Sequence, residues 1–569
     1  MVCRHLSIDR LTYCLAVIVA LCVVCFAPKA HGLEQSTGPD GSNARAVNDP
    51  YGINQTGAGI PVALIGSMNV YENHEAFDEV NIYNYDPDLG NTNIYYGWGH
   101  DTIMAGIIAS SPPTSSTHAN DIGVAPGVKI HSARILTDLD IHEALNYLIA
   151  EKKCRVALTG FVYSDNPDGQ SHWSLLYDYY AHLYNVVFCN PAGNSGNEPN
   201  VPGDAYNGIT TGGLILNDPA NQYVYRKVGN TSSSDFTRDG RRKPDLCAPS
   251  QAQNVPTQGS YTAWANTDSY NGTVGATSWA VPHTAGVAAL LLRTADDMGI
   301  PDANQNEVIK AVMVNSTFPN VDDKAGNSTN PANTANTWHA DRGYGRIDAL
   351  RAYRQLTAGP VTTNVDITQL KGWAFGNLSP QQEHTFTLCA PKNHRLAATL
   401  TWNRRIEWID ESQGRPPRKN GKIDDGELHP YLADLDLKIY EPDNVYEPNA
   451  IFSEMAFGLN PNDNLEKCDI LLDSTAGNYT IKIVNDSYNN EAADYGFAFE
   501  LLPPLPGDFE PIDYIVDYSD LAELAEEWLL DGLDLKTNLI ADDDHIDLKD
   551  FAVFSRYWLE KDPAYHQEH

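Results

Sequence analysis

The stretch GATSWAVPHTAGVAALLL, from Gly275 to Leu292, joins a run of small residues to a long apolar segment. The Ala, Val and Leu residues predict a buried helix that begins near Ser278. Two interpretations of Ser278 are open. As a helix N-cap it would satisfy a backbone N–H group. As a nucleophile it would lie where the helix dipole and free N–H groups favour a developing negative charge.

Length and charge limit the class of protein. A chain of 569 residues is too long for one compact core, which predicts about two to four domains. The formal net charge is −36 and the pI is about 4.6. This acidity argues against a nucleic-acid partner and for solubility outside the cell.

Residues 1–30 resemble a secretory signal peptide. Arg4 and Arg10 precede the apolar run LTYCLAVIVALCVVCFA, and APKA offers a cleavage site of small residues. The alternative is an uncleaved membrane anchor, although the apolar run is short for a bilayer span. We therefore expect a secreted or cell-surface protein with no membrane segment after signal cleavage.

Four of the nine cysteines lie in the predicted signal peptide. The others are odd in number and widely spaced, which indicates buried thiols or one disulfide, and neither a disulfide framework nor a zinc site. Cys389 and Cys468 are the candidate pair because both fall in one later domain. The five cysteines beyond the signal are Cys154, Cys189, Cys247, Cys389 and Cys468.

The pattern of apolar segments changes along the chain. After an N-terminal extension over 31–58, short apolar runs alternate with helical stretches over 59–356, which predicts an α/β domain with a parallel sheet. Over 361–502, alternating strands punctuated by Gly, Pro and Asn predict a β-sandwich.

The tail over 507–562 contains an internal repeat. VDYSDLAELAEEWLL returns about thirty residues later as IDLKDFAVFSRYWLE. In each copy an acidic cluster opens an amphipathic helix, so the tail is predicted to be a small two-helix module.

Three polar residues from distant parts of the α/β region fit one reaction. His100 heads the apolar run in GHDTIMAGIIAS, and Asn194 follows the strand VVFCN in a Gly/Asn turn. The carboxyl ends of parallel strands bring such groups into one cleft. Ser278 as nucleophile, His100 as general base and Asn194 as oxyanion donor would form an acyl-transfer site. Taken singly, each residue also has a structural explanation: a cap, a helix-start histidine and a turn asparagine.

The region 59–356 resembles the subtilisin-like serine proteases, the subtilases, in six motifs. ATSWAVPHTAGVAAL is similar to the segment around that family's nucleophile, GHDTIMAGIIAS to its histidine segment and NPAGNSG to its oxyanion segment. GVAPGVKIHSARIL, SSSDFTRDGRRKPDLCAPS and GYGRIDALRA resemble its framework stretches. The resemblance implies a subtilisin-like three-layer α/β fold and endopeptidase activity on a protein or peptide substrate, with no cofactor required for the chemistry.

The first strand, PVALIGSMNV, departs from the family pattern. Gly66 stands where the family has an Asp that orients the imidazole. Glu72, Glu75 and Asp101 are the nearest carboxylates, and Asp101 directly follows the base on a helix, so we expect it to point to a different face. Two hypotheses result. One is an impaired endopeptidase, in which the substitution Gly66→Asp would raise kcat. The other is a pseudoprotease that acts as a peptide- or surface-binding scaffold.

The strand-rich region resembles the β-rich domain that often follows secreted subtilase domains, in motifs such as ATLTWN and ADLDLKIYEPDN. Asp434 and Asp436 alternate with leucines and would face one side of a strand. They are either calcium ligands or, in the simpler interpretation, solvated edge charges.

The tail resembles a dockerin, a duplicated loop–helix module related to EF-hands, and this implies a cohesin-like or cell-surface partner. Calcium loops need acidic oxygens at alternating positions and a Gly at the turn. The first copy has one residue too many and Pro511 near the turn, and the second is short and lacks a Gly. Calcium binding and a plain helical hairpin with acidic caps both stay open. The candidate calcium ligands are Asp508, Glu510, Asp513, Asp517, Asp520, Asp542, Asp544, Asp547 and Asp550.

Overall fold

A computed structural model describes most of the chain between residues 33 and 502 and a few residues of the tail. The described residues are 33–78, 80–85, 99–135, 140–163, 165–216, 225–251, 255–258, 268–271, 275–327, 329, 338–391, 394–409, 427–440, 442, 463–472, 476–502, 521–522, 524–525, 527–528, 539, 546 and 548–555. The predicted signal peptide lies outside them. Within these ranges, every helix is too short or too polar to cross a bilayer.

The first domain is built on an eight-stranded sheet in which seven strands are parallel. The strand order is β10-β6-β5-β4-β1-β3-β2, and β7 pairs antiparallel with β6. The predicted parallel α/β sheet is therefore confirmed. Its strands are β1 (Pro61–Gly66), β2 (Asn81–Tyr85), β3 (Lys129–Arg134), β4 (Val156–Thr159), β5 (Val187–Pro191), β6 (Ile209–Leu216), β7 (Tyr225–Val228) and β10 (Leu246–Pro249). Short hairpins are formed by β8 (Asp235–Phe236) with β9 (Arg242–Lys243), and by β11 (Val255–Gln258) with β12 (Asp268–Asn271).

Helices cover both faces of this sheet. They are α1 (Leu33–Thr37), α2 (Arg45–Asn48), α3 (His100–Ala109), α4 (Asp140–Leu145), α5 (His172–Tyr184), α6 (Thr277–Met298), α7 (Asn306–Asn315) and α8 (Ala349–Thr357), with a 3₁₀ turn at Glu75–Phe77 and a π-helical turn at Asn146–Glu151.

Side chains of β1 alternate between the two faces of the sheet, as strand geometry requires. Val62 and Leu64 join the hydrophobic cluster that contains α3 and α6, whereas Ala63 and Ile65 join the cluster that contains α4 and α5. Gly66 ends the strand with the same parity as Val62 and Leu64. The last position of β1 therefore faces α3.

Two further four-stranded sheets lie in the region 361–502, where the alternating pattern predicted strands. Their orders are β13-β15-β21-β19 and β14-β22-β16-β20, and they share one hydrophobic cluster. A separate hairpin pairs β17 with β18. The strands are β13 (Asp366–Ile367), β14 (Lys371–Leu378), β15 (Glu383–Ala390), β16 (His394–Trp402), β17 (Arg405–Ile409), β18 (Glu427–Tyr431), β19 (Leu435–Tyr440), β20 (Leu465–Leu472), β21 (Gly477–Asn485) and β22 (Ala493–Leu502).

The five cysteines beyond the signal are all free thiols. Cys389 lies exposed on β15, and Cys468 lies buried on β20 in the other sheet. The candidate disulfide between them is therefore wrong, because the two side chains belong to different sheets and to different environments. The buried-thiol interpretation holds for four of the five, namely Cys154, Cys189, Cys247 and Cys468.

The strand-rich region is attached to the α/β domain through buried polar contacts. The Thr401 hydroxyl donates to the Glu307 carbonyl at 2.8 Å, and the Lys467 ammonium donates to the Val314 carbonyl at 2.9 Å, both on α7. Beyond β16, the buried guanidinium of Arg404 bonds the Asp178 carboxylate on α5 and the Gly169 carbonyl.

We predict that Arg404→Met lowers the free energy of unfolding by about 3–5 kcal/mol, because it leaves the fully buried Asp178 without its cation. The measurement is the midpoint of urea unfolding followed by tryptophan fluorescence. Arg293→Met is the matched control. Because the ion pair between Arg293 and Asp297 is exposed, we expect this control to change the free energy of unfolding by about 0.5 kcal/mol or less. Equal effects of the two substitutions would contradict the buried pair.

Candidate active site

Ser278 is the second residue of α6 and does not cap the helix. The N-cap position is Ala276, whose side chain makes no capping bond. The N–H of Thr277 instead donates to Asn194 Oδ1 at 2.8 Å, so a side chain from another loop closes the helix end. The N-cap interpretation of Ser278 is therefore wrong.

The His100 imidazole lies against the Ser278 hydroxyl. His100 is the first residue of α3, and its Nε2 is 3.1 Å from Ser278 Oγ. The side chains come from segments 178 residues apart and are 8% and 6% exposed respectively. This distance is within hydrogen-bond reach, so the hydroxyl can pass its proton to the imidazole.

Asp101 contacts the other side of the same imidazole. Its Oδ1 is 3.0 Å from His100 Nδ1, and its Oδ2 accepts the Met68 N–H at 3.0 Å. The expectation that Asp101 points to a different face is therefore wrong. The rule about helix faces describes helix interiors, whereas these two residues occupy the first turn of α3, where no preceding turn crowds the side chains.

Gly66 leaves the space that Asp101 occupies. A Cβ atom added at Gly66 would lie 1.8 Å from Asp101 Oδ2 and 2.4 Å from its Cγ. Glu72 and Glu75 bond elsewhere. Glu72 accepts from the Asn84 amide at 3.0 Å, and Glu75 accepts from the Ser116 hydroxyl at 2.7 Å.

The Asn194 amide is held beside the first turn of α6 by its contact with Thr277. Asn194 Oδ1 accepts from both the N–H and the hydroxyl of Thr277, at 2.8 and 3.1 Å. With the oxygen so engaged, the NH₂ end is the free donor of the amide. Gly193 precedes it at φ 114°, and a Cβ there would lie 2.1 Å from Asn200 Oδ1, so this turn requires glycine.

Trp279 follows Ser278 and packs against the His100 imidazole. Its ring centroid lies 4.6 Å from that of His100, at an interplanar angle of 42°. Trp279 is 6% exposed, so the indole forms one wall of the imidazole site.

His283, the second histidine of α6, is a structural residue. It is fully buried, its Nδ1 lies 3.2 Å from Ser42 Oγ, and burial lowers its pKa to about 3. The side chain is therefore neutral at pH 7 and ties the segment before β1 to α6.

The candidate calcium ligands are mostly outside the described residues. Only Asp550 of the nine in the tail is described. It is buried in α9 (Leu548–Phe554) and accepts the Leu539 N–H at 2.8 Å. At β19, Lys438 lies 3.0 Å from both Asp436 and Asp486, which favours the edge-charge interpretation. Among the residues that the structure describes, no group of His, Cys, Asp or Glu side chains is suited to a metal ion.

Sequence reasoning found Ser278, His100 and Asn194, which the structure places around the start of α6. It missed Asp101 as a partner of the His100 imidazole and Thr277 as the residue that holds Asn194. The signal for Asp101 was present, since a carboxylate beside the base coincides with a glycine at the end of β1.

A serine hydroxyl within hydrogen-bond reach of a histidine, at the carboxyl edge of a parallel sheet, is an arrangement that serine hydrolases use. The sequence profile of the subtilase family matches residues 43–345, more than half of the chain. The chain therefore belongs to the subtilase family, whose members are serine peptidases.

Pyrolysin from Pyrococcus furiosus is one relative, 24% identical over 345 residues. The alignment spans 55% of this chain and only 22% of pyrolysin. Among solved structures, the patellamide maturation protease PatA shares 18% identity at a TM-score of 0.40, over 53% of this chain and 98% of that one. A cold-adapted subtilisin-like serine proteinase shares 24% identity at a TM-score of 0.35, over 48% and 88%.

We predict that Thr277→Val lowers kcat by about tenfold with little change in KM, because small displacements of a positioned donor are costly. Valine keeps the side-chain volume but removes the hydroxyl, which donates to Asn194 Oδ1 and accepts the Gly193 N–H. The assay is hydrolysis of a fluorogenic peptide selected from a library with the wild-type protein. Thr294→Val is the control, since that hydroxyl only bonds the Leu290 carbonyl further along the same helix. A normal kcat for Thr277→Val would contradict the positioning role.

Proposed function

We propose that this chain is a secreted serine endopeptidase in which Ser278 is the nucleophile, His100 the general base and Asn194 an oxyanion donor. The observation that carries the proposal is the 3.1 Å approach of His100 Nε2 to Ser278 Oγ.

Secretion rests on the signal-like residues 1–30. N-terminal sequencing of protein recovered from the culture medium tests it, and retention of those residues would contradict it.

The reaction proceeds by acyl transfer. Ser278 Oγ attacks the peptide carbonyl carbon while its proton passes to His100 Nε2, and the carbonyl electron pair moves onto oxygen. The attack gives a tetrahedral intermediate. Its collapse breaks the C–N bond, and the imidazolium gives the proton to the leaving amine. Water, activated by the same imidazole, then releases the acyl group from Ser278.

The developing oxyanion needs preorganised donors. The NH₂ group of Asn194 is available because its oxygen is engaged by Thr277. The first turn of α6 adds backbone N–H groups and the positive end of the helix dipole. Together they favour negative charge beside Ser278.

The alternative is a pseudoprotease that binds peptides without efficient turnover, and Gly66 at the end of β1 is the observation in its favour. The contact between Asp101 and His100 weakens this alternative, because the imidazole has a carboxylate partner without residue 66.

A serine-directed fluorophosphonate probe separates the two hypotheses. We predict covalent labelling of the wild-type chain and none of Ser278→Ala, because the probe reports a hydroxyl activated by an adjacent base. Ser110→Ala is the control for serine removal, since Ser110 is a buried residue that bonds the Asp121 carbonyl. The scaffold hypothesis would be supported if the wild type binds peptide but stays unlabelled.

For the tail we propose a dockerin-like module that binds calcium and a cohesin-like or cell-surface partner. The proposal rests on the repeated acidic clusters. Calorimetric titration of the full chain with calcium is predicted to show saturable binding that is weakened by Asp517→Asn with Asp547→Asn. The control pair, Asp434→Asn with Asp436→Asn, should leave the titration unchanged. Absence of saturable heat in the wild type would favour the plain helical hairpin.

A further inference from the structure

We infer that Asp101 orients the His100 imidazole for the proposed reaction, and that Gly66 is the residue that allows it. The inference rests on the proposed function and assigns one further positioning residue to that site. It means that the carboxylate which subtilases carry at the end of the first strand is supplied here by the residue after the base.

Both carboxylate oxygens of Asp101 have a defined partner. Oδ1 lies 3.0 Å from His100 Nδ1, and Oδ2 accepts the Met68 N–H at 3.0 Å. The neighbouring Thr102 hydroxyl accepts the Tyr71 N–H at 2.9 Å. The chain that leaves β1 is thus tied to the first turn of α3 at two adjacent residues. Asp101 is fully buried, so the carboxylate is held away from competing water.

The space between β1 and α3 admits one carboxylate. The last position of β1 faces α3, and a Cβ atom at Gly66 would lie within 2.7 Å of all three carboxylate atoms of Asp101. A side chain at residue 66 and the observed position of Asp101 therefore exclude each other. Glycine at residue 66 is a requirement of the Asp101 position.

The contact fixes the tautomer that the reaction needs. A carboxylate at Nδ1 accepts that N–H, which leaves the Nε2 lone pair directed at the Ser278 hydroxyl. When Nε2 takes the serine proton, the adjacent negative charge stabilises the imidazolium, and Asp101 itself stays ionised. The first turn of a helix also favours a carboxylate through the helix dipole.

The molecule offers a matched control outside the site. His118 Nδ1 lies 2.9 Å from Asp121 Oδ2, which makes a second histidine–carboxylate pair in the same domain, with a half-buried imidazole and a buried carboxylate. Replacing Asp121 by Asn changes one carboxylate of a histidine pair to an amide without touching His100. It reports the effect of such a change on folding alone.

The experiment compares Asp101→Asn, Gly66→Ala and the double variant Gly66→Asp/Asp101→Gly with the wild type. We expect Asp101→Asn to lower kcat by about 10⁴-fold with KM nearly unchanged, as the loss of the orienting carboxylate does in serine proteases. Gly66→Ala should lower kcat by at least about tenfold, because its Cβ displaces the carboxylate. The double variant returns a carboxylate from the strand and should exceed Asp101→Asn by at least about tenfold.

The single substitution Gly66→Asp separates this inference from the expectation formed on the sequence. A carboxylate added at residue 66 collides with Asp101, so kcat should fall, whereas a site that lacked its carboxylate would gain activity. Asp121→Asn should stay within about threefold of the wild type.

Proton NMR at low pH gives a readout that a merely structural role would not move. The Nδ1–H of protonated His100, hydrogen-bonded to the Asp101 carboxylate, is expected as a low-field resonance that Asp101→Asn abolishes and Asp121→Asn retains. If Asp101→Asn keeps kcat within about threefold while Ser278→Ala is inactive, the inference is overturned and the proposed function stands. If the wild type itself is neither labelled nor active, the proposed function fails. The resonance then still decides whether Asp101 holds the imidazole.

Discussion

The two-sided hydrogen bonding of one imidazole is the interaction on which the site depends. His100 meets the Ser278 hydroxyl with Nε2 and the Asp101 carboxylate with Nδ1. Because the histidine is the first residue of α3, its position follows from how that helix packs against β1 and α6. The chemistry of the site is thus a consequence of the parallel sheet, whose strand ends and helix starts meet at one edge.

The same edge explains why Ser278 and Asn194 share a location. The helix that carries the serine begins without a side-chain cap of its own, and the asparagine from the β5 loop supplies the acceptor. One contact therefore serves two purposes. It caps the start of the helix, and it leaves the NH₂ group of Asn194 for the oxyanion role that we propose.

The sequence predicted the sheet and the convergence of its polar residues because both depend on local patterns. Short apolar runs alternating with helices specify parallel strands, and strand ends next to Gly/Asn turns specify the edge. The role of Asp101 was not predictable in the same way. It depends on the first turn of α3 lying against Gly66, and helical periodicity describes helix interiors and misplaces a residue at the start of a helix. The predicted disulfide was wrong for a related reason, since the strand pattern does not show which sheet contains Cys389 and which contains Cys468.

A serine hydrolase of this type uses a carboxylate that accepts a hydrogen bond from Nδ1 of the base, and nothing in the chemistry specifies which backbone segment supplies it. A strand end and a helix start can both reach that atom here, but the space between them holds one carboxylate. Replacing Gly66 alone by Asp brings two carboxylates into contact in a buried site, where they cannot both ionise without a large free-energy cost. Changing residue 101 alone leaves none. The two positions are therefore physically coupled. Gly66, which by itself suggests a lost catalytic carboxylate, provides the space that the Asp101 carboxylate needs to reach His100.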